Sequence, residues 1–228
     1  WVAKLFCAHL RGADTMTIKR LNLIPKVSED VLSAVSKSDP IIVLSGHAGT
    51  GKTIILLQAA NYLMSRGKKC LFLTYNIALL SDLKHTIQYV SEMNAPEMKS
   101  MHQFFIAYLA KNGLWGSSKD INNDFLDAVS KLNSAFISKG KITTKFDYVL
   151  VDEAQDWTKP LIDALKGICQ KSNSQIVIAD GIDQFMQRAD QPEWGMSSLP
   201  QFKVCRRQCR NLTVFAKAFA AKMGVAWD

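Results

Sequence analysis

Short apolar runs alternate along the chain with longer stretches in which apolar residues recur every three or four positions, and that alternation predicts the architecture. Five runs rich in Val, Ile, Leu and Phe are short and nearly continuous: "IIVLS" from Ile41, "CLFLT" from Cys70, "YVLV" from Tyr148, "QIVIA" from Gln175 and "FKVC" from Phe202. Runs of this length and composition predict strands buried on both faces. Between them the period lengthens. "IILLQAANYLMSR" predicts a helix over 54–66 that stops at Gly67, and the stretch 160–170 places Leu161, Ile162, Leu165 and Ile168 on one helical face. Strands alternating with helices predict a parallel sheet covered on both sides.

The rhythm breaks once. After the second strand and the helical pattern "IALLSDLKHTIQYV", a long interval passes before the strand at Tyr148. It contains "MHQFFIAYLAKNGLW", the polar "GSSKDINND" and then "FLDAVSKLNSAFI". It predicts a small helical insertion, 85–146, in an α/β core formed by 41–84 and 147–228. Residues 1–40 form a segment leading into the core, with a helix expected over 28–37 that ends before "SDP". The chain has no internal repeat and no low-complexity tract.

Composition narrows the function classes. A hydrophobic share of 48% in 228 residues suffices for an ordinary core, and Lys plus Arg outnumber Asp plus Glu by 28 to 20. The resulting pI near 9.2 suits either a polyanionic partner such as nucleic acid or a merely basic surface. No apolar run reaches the roughly 20 residues that span a bilayer, and "WVAKLFCAHLRG" has neither a charged leader nor a cleavage site, so no membrane partner and a cytoplasmic or nuclear location are expected. A chain opening on Trp1 and closing on "WD" reads as a portion of something longer. Five cysteines without a CxxC pair read as reduced thiols, and Cys205 with Cys209 makes a poor zinc site without nearby histidines.

The chemistry begins at "GHAGTGKT", Gly46 to Thr53, which matches G-x-x-x-x-G-K-[ST] between a predicted strand and a predicted helix. Gly46, Gly49 and Gly51 permit the close backbone approach that a Cβ would block, and the amides of Ala48, Thr50 and their neighbours can point at phosphate oxygens. The helix dipole supports the same anion. Lys52 reaches the β and γ phosphates and the Thr53 hydroxyl ligates Mg²⁺, so ATP with Mg²⁺ is the expected pair of cofactors. A second segment, "DYVLVDEAQDW", delivers Asp152 and Glu153 at the C-terminal end of an apolar strand. Asp152 is placed to hold Mg²⁺ and Glu153 to polarise the attacking water.

"GHAGTGKT" together with "VDEAQD" resembles the superfamily 1 helicases of the UvrD, Rep and PcrA type, whose second motif reads DEXQD. The resemblance runs from about residue 41 to residue 220 and implies a P-loop NTPase of RecA-like fold. "LFLTYNIALLSDL" is similar to the family segment that contacts the single-stranded DNA backbone, with Thr74, Tyr75 and Asn76 matching. "KSMHQFF" is similar to the family's T-x-H-S-F segment, with His102 and Phe104 matching and Met101 departing from it. "IVIADGIDQFMQR" resembles the third motif and implies Gln184, paired with Asp180, as a γ-phosphate sensor; Phe185 and Trp194 are candidates for base stacking or for the core. "CRRQCRNLTVFAKAFA" resembles the N-Y-R-S-x-x-N-I segment and implies Arg207 at the γ phosphate and Arg206 over the adenine. Where the family has a glutamine ahead of the loop to read the adenine edge, this chain has Glu29 and Asp30.

The resemblance implies an ATP-dependent DNA helicase or translocase whose hydrolysis is stimulated by single-stranded or tailed DNA. It also implies a second RecA-like lobe beyond Asp228, without which one lobe hydrolyses slowly and does not unwind. Two alternatives stand beside it. One is a regulatory or sensor NTPase of a multi-protein system such as phage defence, controlling a partner nuclease. The other is an interaction module that keeps the fold without the chemistry, against which Lys52, Thr53, Asp152, Glu153 and Arg207 speak.

Overall fold

The computed structural model describes residues 23–24, 26, 28–36, 39–47, 49–88, 90, 94–113, 125, 127–130, 144–181, 194, 197–198 and 210–222. Six parallel strands make one sheet: β1 (Ile41–Gly46), β2 (Cys70–Thr74), β3 (Glu97–Ser100), β4 (Tyr148–Asp152), β5 (Gln175–Gly181) and the two-residue β6 (Ser197–Ser198). Their spatial order is β3-β2-β4-β5-β1-β6. Among the described residues six helices accompany them: α1 (Glu29–Ser36), α2 (Lys52–Met64), α3 (Ile77–Ile87), α4 (Met101–Lys111), α5 (Lys159–Ser172) and α6 (Arg210–Lys222).

Side chains alternate across the sheet, so each strand feeds two cores. Leu71, Leu73, Val149, Val151, Ile176 and Ile178 face one side, where Phe105 and Leu109 of α4 and Leu161, Leu165 and Ile168 of α5 cover them. Phe72, Leu150, Val177, Ile42 and Leu44 face the other, against α2, α3 and Val31 of α1. That two-sided burial is why the central strands are apolar without interruption, as their sequence predicts.

The helix ends follow from local chemistry. A capping box opens α4, with the Ser100 hydroxyl accepting from Gln103 N–H at 3.2 Å and the Gln103 side chain accepting from Ser100 N–H at 3.1 Å. Pro160 lies in the first turn of α5, and Asn173, left-handed at φ 55°, ends it. Across the N-terminal edge of the sheet, Asp147 N–H donates to Lys69 O at 2.8 Å and Gln175 N–H donates to Asp147 O at 2.9 Å. Ile176 N–H completes the row on Pro40 O at 2.9 Å. These bonds align the starts of β2, β4, β5 and β1.

One expectation changes. The interval 85–146, predicted as a helical insertion, contributes β3 to the core sheet, paired with β2 from Leu71↔Glu97 to Thr74↔Ser100. "EMKS" has too little apolar character to announce a strand; pairing with β2 decides it. The edge suits its charges, because Glu97 meets Lys99 at 2.8 Å and Lys145 at 2.7 Å, both contacts near solvent. Phe125, Ala128 and Val129 from the same interval join the core beside Phe105 and Trp157. The strand predicted at 202–205 lies outside the described residues, and β6 pairs with β1 at that end of the sheet.

Phe105 is fully buried, with its ring centroid 5.3 Å from that of Phe104 and 6.2 Å from that of Trp157. Phe105→Ala should destabilise the fold by about 3–5 kcal/mol. Denaturant unfolding measures it, and a loss below about 1 kcal/mol would mean that this core is not packed as described.

Candidate functional site

All five longer strands run the same way, so their carboxyl ends share one edge of the sheet. The register places Gly46 beside Gly181, Ser45 beside Asp180 and Thr74 beside Asp152. The loop after β1 therefore arrives next to the acidic ends of β5 and β4. In an open α/β sheet this edge is where ligands bind.

The loop is built on two left-handed glycines, Gly49 at φ 77° and Gly51 at φ 94°. Any L side chain at either position is strained, which accounts for the glycines in the motif. Gly51 is also the N-cap of α2 and offers no side-chain cap, and the first turn of α2 holds no acidic residue. The helix thus presents its N-terminal N–H groups and its positive dipole end to the loop without a built-in anion. Thr50 is buried and closes the loop on itself, its hydroxyl donating to His47 O at 2.9 Å. Lys52 is buried too, and its ammonium donates to Gly46 O at 2.7 Å and His47 O at 3.0 Å. The loop carbonyls of Gly46 and His47 thus hold the cation at the loop.

Facing Lys52 stands a carboxylate cluster. Asp152 ends β4 and is 1% exposed. Burial, with the adjacent Glu153 charge adding to it, pushes its carboxyl up from 3.8 to about 7, against the Thr53 hydroxyl, the Glu153 N–H and the Lys52 charge, which favour ionisation. One of its oxygens, Oδ2, has no hydrogen-bond partner among the described residues. Asp180, at the end of β5, is raised by burial as well, partly offset by Lys52, and its Oδ1 is likewise without a partner. A buried carboxylate with an idle oxygen beside a threonine hydroxyl is a hard-oxygen donor set, and it fits Mg²⁺.

Glu153 follows in the left-handed conformation, φ 52° and ψ 49°. A non-glycine residue there costs on the order of 1–3 kcal/mol and persists only where its surroundings enforce it. The short 3₁₀ turn Ala154–Asp156 provides the enforcement. Gln155 is buried inside it, donating from Nε2 to Glu153 Oε2 at 2.6 Å and accepting at Oε1 from Gly181 N–H at 3.0 Å. Sequence reasoning gave Gln155 no role, although the DEXQD pattern itself contained the signal.

Two of the expected nucleic-acid residues, Tyr75 and His102, meet. Tyr75 follows β2, half-buried, with its ring 5.7 Å from that of His102, which in turn lies 5.0 Å from Phe125. Burial lowers the His102 pKa, so this imidazole is neutral at pH 7. Asn76 is exposed and caps α3, its side-chain oxygen accepting from Ala78 N–H at 2.9 Å and Leu79 N–H at 3.1 Å. Phe104 is 5% exposed and packs into the core, its ring against those of Phe105 and Tyr108. Trp194 is a core residue too, its indole N–H donating to Ala154 O at 3.3 Å. Ala48, Gln184, Phe185, Arg206 and Arg207 lie outside the described residues.

The fold and this loop define a P-loop NTPase with a RecA-like parallel sheet, of the helicase-like kind. The family described as "Type III restriction enzyme, res subunit" matches residues 23–179, more than half of the sequence, and the chain belongs to that family. Among curated proteins no significant match was found. Among solved structures the chain is similar to a DNA replication initiation factor, at 15% identity over 88% of this chain and 50% of that one, with a TM-score of 0.36. It is also similar to AMPPCP-bound DnaA from Aquifex aeolicus, at 15% identity over 89% and 55%, with a TM-score of 0.37. The chain spans about half the length of each. No helix among the described residues is long and apolar enough to cross a membrane.

The Asp152 shift has a stability consequence of definite sign. The unfolded carboxyl ionises above about 3.8 while the folded one keeps its proton to about 7. Its contribution to stability is therefore full below about 3.8, declines as pH rises, and is gone above about 7. Between those values the nucleotide-free protein should lose melting temperature by an amount that Asp152→Asn does not lose. Parallel melting profiles for the two proteins would refute the burial argument.

Proposed function

We propose that the chain is the nucleotide-hydrolysing lobe of an ATP-dependent DNA translocase or helicase of the superfamily 1 type. The observation that carries the reading is the meeting of Lys52, Thr53, Asp152 and Glu153 at one sheet edge, with the loop on β1 and the acids on β4. Membership of a family with this helicase-like domain supports it.

Each residue then has a task. The amides of Gly46 to Thr53 and the α2 N-terminus cradle the phosphates, and Lys52 moves from the loop carbonyls onto the β and γ oxygens. Thr53 and Asp152 would hold Mg²⁺, which supplies charge neutralisation at the phosphates when bound. Asp152, ionised in that complex, loses the burial penalty it bears alone. Glu153 accepts from the attacking water and orients it in line with the leaving oxygen. Gln184 and Arg207 complete the set at the γ phosphate and Arg206 stacks on the base, as the family resemblance implies. Single-stranded DNA runs over the carboxyl edge at β2 and β3, where Tyr75, Asn76 and His102 meet it. A second RecA-like lobe closes the other side of the cleft.

A second reading is favoured by the family's own description as a subunit of a restriction enzyme. In it the same hydrolysis serves as a regulatory or sensor step that controls a partner nuclease. The two readings separate on what the turnover drives, strand movement or cleavage by a partner.

Phosphate release with and without single-stranded DNA tests the proposal. Lys52→Ala and Glu153→Gln should each lower DNA-stimulated turnover by about a hundredfold or more, with an unchanged melting curve. Full turnover in either well-folded variant would refute the site. Turnover indifferent to DNA would move the reading to the sensor.

A further inference from the structure

We propose that Gln155 is a positioning residue that sets the carboxylate of Glu153 and ties it to the end of β5, an inference that rests on the hydrolytic role given to Glu153 above. The orientation of the Gln155 amide follows from chemistry. Gly181 N–H can only donate, at 3.0 Å, so the amide oxygen must face it and the amide nitrogen must face Glu153 Oε2 at 2.6 Å. At 4% exposure the amide is sealed from water, so neither bond has a solvent substitute.

The turn makes the arrangement rigid. Asp156 N–H donates to Glu153 O and Trp157 N–H donates to Ala154 O, both at 3.2 Å, while the Trp194 indole holds Ala154 O from the other side at 3.3 Å. Glu153 itself sits at a left-handed φ of 52°, a conformation that its own backbone disfavours. Its carboxylate is thereby aimed by a neighbour two residues on. With the amide bound at Oε2, the carboxylate keeps acceptor capacity for a water in a fixed orientation. The other end of the amide grips the backbone directly after Asp180, on the strand that lies between β1 and β4 in the sheet.

The test uses the full-length protein and two variants beside Glu153→Gln. Gln155→Leu deletes both bonds. A carboxylate misplaced by about an ångström should lower kcat about a hundredfold while the nucleotide KM stays within about threefold. Gln155→Glu keeps an acceptor for Gly181 N–H but turns a carboxyl toward Glu153, and two carboxyl groups at that distance share one proton. Its activity should be low at neutral pH and recover as pH falls, when the introduced carboxyl is protonated and donates as the amide did, whereas the unmodified protein gains nothing. An undiminished kcat in Gln155→Leu, with Glu153→Gln inactive, overturns the inference and leaves the hydrolytic reading standing. If Gln155→Leu does not fold, the pH profile of Gln155→Glu decides: an acid-shifted optimum supports the positioning role, and an unshifted one assigns Gln155 to packing alone. An active Glu153→Gln removes the hydrolytic reading and this inference with it.

Discussion

The parallel register of β1, β5 and β4 is the constraint on which the site depends. Three carboxyl strand ends must come level, because the loop on β1 can hold a phosphate only where the acids of β4 and β5 can reach the same phosphate's metal and water. Pairing of Gly46 with Gly181 and of Val151 with Ile178 sets that level. The hydrogen bonds at the opposite edge, through Lys69, Asp147, Gln175 and Pro40, fix the starts of the same strands. A one-residue slip would invert the faces of a strand, sending its apolar residues to the wrong core and its terminal carboxylate away from Lys52.

A site levelled in this way concentrates charge in a place poorly solvated for it. Among the described residues Asp152 and Asp180 each carry a buried oxygen without a partner, Glu153 adds a third carboxyl, and Lys52 is a cation that the electrostatics of both aspartates share. Packing of Phe72, Leu150, Val177 and their neighbours supplies the stability against which this imbalance is maintained. The imbalance favours binding of a divalent cation with a polyphosphate, because each neutralises what the other leaves over. The left-handed Glu153 belongs to the same economy: local strain held by a sealed turn.

Much of this was legible in the residues. Continuous apolar runs flanked by helical periods announced a parallel sheet with helices on both faces, and four of the predicted strands lie where expected because burial on both sides leaves no other composition for them. Gly49 and Gly51 were readable because only glycine suits a left-handed loop that opens a helix. Asp152 and Glu153 were readable because adjacent carboxylates ending an apolar strand have few structural uses. Illegible were the features whose cause is distant in sequence. β3 is a strand because β2 offers it an edge, although its own four residues are mostly polar. Phe104 matches a nucleic-acid segment in sequence, and only the packing of α4 shows its ring in the core.

The sequence by itself determined the alternation of strand and helix, the phosphate loop, and the pair of acids, since each is encoded within a few consecutive residues by backbone sterics, hydrophobic period or charge. Tertiary structure alone decided which residues meet. The contact between Gln155 and Gly181 spans 26 positions, and the meeting of Thr53 with Asp152 spans nearly a hundred. Such contacts arise from strand order and register, which are collective properties of the packed sheet and leave no local mark on the chain.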